Sequence, residues 1–211
     1  MKYFFSFLCM FFHLSAYSLT ITSDITTITE ERNIEHPHVK ISEDGKGMVV
    51  WTSHTSVTEI QAAYFNGTHW LQSLTISRGT FPRFGIALNG VAFAVWLNTI
   101  NTSAGQIFVS QFDPLTNSWS QPIQISNGGI NAAPDIAVNA GGNAVAVWIQ
   151  NYPTSIQAAT YDASTSTWSE PKTLINKAVI SPKVTLNEAN QGIVMWRGRA
   201  SHIETMNISL P

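Results

Sequence analysis

Short apolar and polar blocks alternate along most of this chain, and the blocks recur. A proline and a tryptophan mark each recurrence. Pro37 and Trp51, Pro82 and Trp96, Pro134 and Trp148, and Pro182 and Trp196 are each 14 residues apart. Successive tryptophans lie 45, 52 and 48 residues apart, a period typical of repeat architectures. Two and four residues after each proline stand apolar side chains: Val39/Ile41, Phe84/Ile86, Ile136/Val138 and Val184/Leu186. That period of two predicts a strand. Turn residues follow, as Asp44-Gly45, Asn89-Gly90, Gly141-Gly142 and the weaker Ala189-Asn190. They are read as two-residue hairpin loops with both positions at positive φ. A second strand runs into each tryptophan: GMVVW, AFAVW, AVAVW and GIVMW. It is apolar on both faces, as expected of a strand buried on both sides. A third strand is predicted over 60–65, 107–112, 156–161 and 203–208. In three copies a fourth follows, opening with Trp70, Trp119 or Trp168.

Four short antiparallel strands per repeat make the blade of a β-propeller. The expected fold is therefore all-β, a propeller of four-stranded blades, with repeats at about 37–80, 82–132, 134–180 and 182–211. The last repeat runs out after its third strand. The strand-like segment 19–30 (LTITSDITTITE) is expected to complete that blade, closing four blades from both ends and removing a free sheet edge. Two chains sharing strands would be the other way to close, so a monomer or a strand-sharing dimer is expected.

The run from Pro134 to Leu174 resembles the repeat of secreted bacterial β-propeller proteins, loosely those of sialidase or Asp-box type. A four-bladed ring of this size is similar to the hemopexin-like domain in blade count and length only. The resemblance covers residues 19–211 and implies a fold, not an activity. A working sialidase would imply an arginine triad, a Tyr–Glu pair and six blades. This chain has five arginines (Arg32, Arg78, Arg83, Arg197, Arg199). Its nearest Asp-box, Ser42-Glu43-Asp44-Gly45-Lys46-Gly47, has its glycine one residue early and Trp51 too late.

The N-terminus changes the picture of where the protein works. Lys2, an apolar run from Tyr3 to Leu14, and small residues at Ser15, Ala16 and Ser18 follow the order of a signal peptide over 1–18. The mature domain then spans 19–211, without a membrane-length segment, and is expected in the periplasm, at the cell surface or outside the cell. Cys9 is the only cysteine and falls in the signal. A thiolate nucleophile, a thiolate metal site and a disulfide are thus excluded from the mature chain. Charged residues are 11% of the chain and the formal net charge is −2, which excludes the basic footprint of a nucleic-acid binder.

Candidate chemistry is sparse. Trp51, Trp96, Trp148 and Trp196 either pack between blades or offer an indole face to a sugar ring, the candidate ligand-binding set. His38, Arg83, Asp135 and Lys183 follow the four prolines. If the prolines mark the axial channel, these four ring its entrance and could gather an ion or a small anion. His36 and His38, with His54 or His202, have no spaced ligand motif and are read as loop residues. No catalytic residue, metal or cofactor is expected. The reading is a secreted non-enzymatic module that recognises an extracellular glycan or protein. The alternatives are a structural module adding blades to a larger ring and, behind it, a sialidase-like hydrolase.

Overall fold

The computed structural model describes residues 25–99, 104–151, 154–198 and 202–211. The segment expected to be a signal peptide lies outside them. The chain folds as a β-propeller of four antiparallel sheets in sequence order. The first sheet holds β1 (Ile34–Ile41), β2 (Gly47–His54), β3 (Thr58–Phe65) and β4 (Leu74–Arg78). The second holds β5 (Thr80–Ile86), β6 (Ala92–Asn98), β7 (Gln106–Asp113) and the short β8 (Ser118–Trp119) and β9 (Ile123–Gln124). The third repeats this plan with β10 (Ile130–Val138), β11 (Ala144–Asn151), β12 (Ser155–Asp162), β13 (Thr167–Trp168) and β14 (Lys172–Ile175). The fourth holds three strands, β15 (Val179–Leu186), β16 (Gln191–Gly198) and β17 (Ile203–Ser209). Of the segment expected to add a strand here, 19–24 lie outside the described residues and 25–30 are irregular. Glu31 instead reaches the first sheet, where its carboxylate accepts from Ser53 Oγ (2.5 Å) and Gln61 Nε2 (3.1 Å).

The tryptophans hold the blades together. Trp96 packs with Met48, Val50 and Ile60 of the preceding sheet. Trp148 packs with Phe93, Val95 and Ile107, and Trp196 with Val145, Val147 and Ile156. β6 and β11 lie between two blades, so both of their apolar faces are buried, whereas β16, in the last sheet, departs from the expected two-sided burial: Ile193 and Met195 on its other face are 47% and 38% exposed. A second aromatic device works inside each of the first three blades. The aromatic that ends the third strand meets the tryptophan that opens the outer one: Phe65–Trp70 at 5.4 Å, Phe112–Trp119 at 5.3 Å and Tyr161–Trp168 at 5.5 Å between centroids. Such pairs stabilise by about 0.5–1.5 kcal/mol beyond burial.

The hairpins between first and second strands differ from the expectation. Only the second residue of each dipeptide has positive φ: Gly45 at 80°, Gly90 at 86°, Gly142 at 87° and Asn190 at 60°. Its amide donates to the residue three back, as Gly45 N does to Ser42 O at 3.0 Å and Asn190 N to Asn187 O at 3.2 Å. A β-turn followed by one left-handed residue is the longer hairpin loop, and one Gly or Asn suffices for it.

Gly79 marks the closest approach between a turn and a tryptophan. Its φ is 150°, and a Cβ there would lie 2.3 Å from Trp96 Cδ1 and 2.9 Å from the Leu97 carbonyl oxygen. Gly79→Ala is therefore expected to lower stability by about 2 kcal/mol or more, read by chemical denaturation. An unchanged midpoint would mean that the packing of the first two blades does not need this contact.

Candidate functional site

Each innermost strand carries a bulge just before its proline. The pairing register shifts between Glu35 and His38, Thr80 and Arg83, Ala132 and Asp135, and Ile180 and Lys183. The residue before the proline has positive φ every time: His36 at 53°, Phe81 at 54°, Ala133 at 51° and Ser181 at 54°. None is glycine, so each costs on the order of 1–2 kcal/mol of backbone strain. Bulges re-aim side chains and interrupt pairing, and they concentrate near active sites.

Three of these residues, Phe81, Ala133 and Ser181, line one cleft of about 370 Å³. Leu97, Pro134 and Pro182 extend its apolar wall, and Arg83 and Lys183 bring charge to it. The volume falls within the range of about 300–1,000 Å³ common for small-ligand sites. Phe81 is 42% exposed, which leaves an aromatic surface in the cleft.

An ion cluster adjoins this cleft. Asp135 is buried; its Oδ1 lies 3.3 Å from Lys183 Nζ and 4.0 Å from Arg83 Nε. Its Oδ2 accepts from the backbone N–H of Val184 at 3.0 Å. Arg83 Nη1 donates to the Pro82 carbonyl at 2.8 Å, which fixes the guanidinium. On the first sheet, the His38 ring meets Phe84 edge-on at 5.5 Å, and Lys40 Nζ lies 5.9 Å from the same ring centroid. Burial holds Lys40 below the usual lysine range, against the pull of Asp135. Among the described residues, no carboxylate lies within ion-pair distance of Lys40. Burial first, then the charges of Lys40 and Arg83, hold His38 below its usual value.

The structure thus joins Arg83, Asp135 and Lys183 directly and sets His38 in their field. Lys40 and Phe81 belong to the same place and were missed by sequence reasoning. The signal that could have found Phe81 was its position before a repeated proline. Lys40 sits one residue beyond the apolar Val39 of the repeat and carries no motif. The four tryptophans lie elsewhere in this respect: Trp51, Trp96, Trp148 and Trp196 are 2%, 0%, 1% and 2% exposed. No indole face is open for a sugar to stack on, so the ligand-stacking expectation finds no surface here. No three His, Cys, Asp or Glu side chains converge as a metal site among the described residues, and none of their helices is long and apolar enough to cross a membrane.

No protein-family profile and no curated protein matches this sequence. Solved structures do share the fold. An endo-arabinase from Bacteroides thetaiotaomicron matches with a TM-score of 0.51 at 13% identity, over 83% of this chain and 74% of that one. An α-L-arabinanase from Penicillium chrysogenum, complexed with arabinobiose, matches at 0.53 and 9%, over 83% and 57%. An α-L-arabinofuranosidase from Podospora anserina, in complex with cellotriose, matches at 0.49 and 10%, over 83% and 63%. The chain thus spans between 57% and 74% of the length of these neighbours. The expectation of a non-enzymatic recognition or assembly module is corrected by the endo-arabinase and the α-L-arabinanase, which are named as enzymes and share this fold; the repeat alone gave no ground for setting enzymes aside.

The depressed His38 gives a pH signature. Unfolded, it titrates near its ordinary 6.5; folded, it titrates lower. The stability gained by keeping it neutral is complete above that ordinary value and is lost as pH falls through the folded one. The melting temperature is expected to drop as pH falls below about 6.5, and His38→Asn to flatten that drop. An equal slope in the variant would contradict the assignment.

Proposed function

We propose that the protein is an exported carbohydrate-active enzyme that binds its saccharide at the bulge-lined cleft. The observation that carries this reading is the coincidence of an apolar-walled cleft with a buried, cation-flanked carboxylate, Asp135, where innermost strands from three blades meet. The names of the fold neighbours support it, since an arabinase and an arabinanase share the architecture. The signal-like segment 1–18 supports export.

Glycoside hydrolysis uses two carboxyl groups on either side of the scissile bond. Asp135, with two cations and a backbone N–H on its oxygens, suits the ionised partner that assists attack at the sugar carbon.

Incubation of the purified protein with arabinan, xylan and pectin, read by new reducing ends, tests the reading. Product is expected from at least one, and Asp135→Asn is expected to lower the rate about 100-fold or more with cooperative melting retained. No product from any polysaccharide, or full activity in that variant, would contradict it.

A further inference from the structure

We infer that the saccharide taken by this cleft is acidic: a uronic-acid residue whose carboxylate meets the cations Lys40, Arg83 and Lys183 and whose ring lies on Phe81. The inference rests on the saccharide reading of the cleft and names its substrate class.

The charge balance leads to it. The whole chain has 11 Lys and Arg residues and a formal net charge of −2. Two of those cations, Arg83 and Lys183 from different sheets, nevertheless pair with one carboxylate, and Lys40 of a third sheet feels the charges of Asp135 and Lys183. Asp135 offsets one of them and leaves about two positive charges in a partly buried setting. Like charges brought together cost free energy in proportion to how dry the site is. Lys40 has no counterpart in the other blades, where Gly85, Ala137 and Thr185 stand three residues after their prolines. A neutral sugar would leave this charge unmatched, whereas an anion would offset it.

The surroundings select the anion. The charges border an apolar wall made by Phe81, Pro134 and Pro182, which suits the C–H face of a sugar ring rather than free phosphate. Phe81 and Arg83 flank Pro82 and both line the cleft. A hexuronate, with its carboxylate attached directly to the ring, can set its ring on the one and its carboxylate on the other. Asp135 takes no part in holding the anion. It holds Arg83 and Lys183 in position.

The test is isothermal titration of the full-length mature protein at low salt with trigalacturonate and with glucuronoxylotriose. The controls are their carboxyl-reduced neutral forms and a sulfated galactose trisaccharide. At least one uronate is expected to bind, about tenfold or more tighter than its reduced form and tighter than the sulfated sugar. Added salt is expected to weaken it. Lys40→Met and Lys183→Met are each expected to weaken binding about tenfold, while Lys172→Gln, on the outer strand β14, leaves it unchanged. Equal binding of acid and reduced sugar, preference for the sulfated sugar, or the same loss in Lys172→Gln would overturn the inference. Turnover of arabinan or xylan with no preference for an acidic sugar would overturn the inference alone and leave the enzyme reading standing. Failure of every polysaccharide to be cleaved would instead strike at that reading.

Discussion

Each of the last three blades of this protein is held by an indole that the preceding blade covers. Trp96, Trp148 and Trp196 each come from a second strand and each enter the apolar face of the sheet before. A buried tryptophan removes roughly 150–250 Å² from water, and no single sheet here has a second layer of its own to do this. The 14-residue frame between proline and tryptophan is therefore rigid, because it sets the distance from the innermost strand to the interlocking indole. The loops outside the frame are free to differ in length. Close backbone approaches follow from the same packing: Gly79 lies under Trp96, and Gly85 lies against Val138 of the next blade, where a Cβ would come within 2.4 Å.

The same arrangement brings four innermost strands together at one place. Each reaches it through a bulge, and each bulge holds an ordinary L-residue at positive φ. Fourfold repetition of one strained conformation shows that the architecture imposes it. The side chains beside these bulges come from blades about fifty residues apart in sequence, yet they share one electrostatic environment. Arg83, Asp135 and Lys183 pair directly, while Lys40 and His38 feel the same charges from the first blade. Packing at the indoles thus positions a polar site that no blade contains alone.

Much of the fold was legible because it is local. Period-two runs, Gly and Asn at turns, and aromatic strand ends recur at fixed offsets, and the four blades follow from them. Three things were not legible. The bulges carry no glycine, so His36, Phe81, Ala133 and Ser181 give no sign of positive φ. The turns need one left-handed residue, and a Gly-Gly or Asn-Gly pair does not reveal that only one position uses it. The site itself is non-local: His38, Arg83, Asp135 and Lys183 were identified by their place after the prolines, but Lys40 needed the burial and charge of the folded state. The tryptophans drew attention because aromatic residues serve both cores and sugar sites, and burial decides between these roles. Function was the least legible, since one repeated frame supports many chemistries and the groups that differ lie in different blades.

The central claim is that the bulge-lined cleft beside Asp135 is where a saccharide binds. A crystal structure of the protein soaked with trigalacturonate tests it most directly. The account predicts a sugar ring against Phe81, with its carboxylate turned toward Arg83 and Lys183. A sugar bound instead along the outer groove between Ile123 and Trp168, with the cleft beside Asp135 left to solvent, would contradict it.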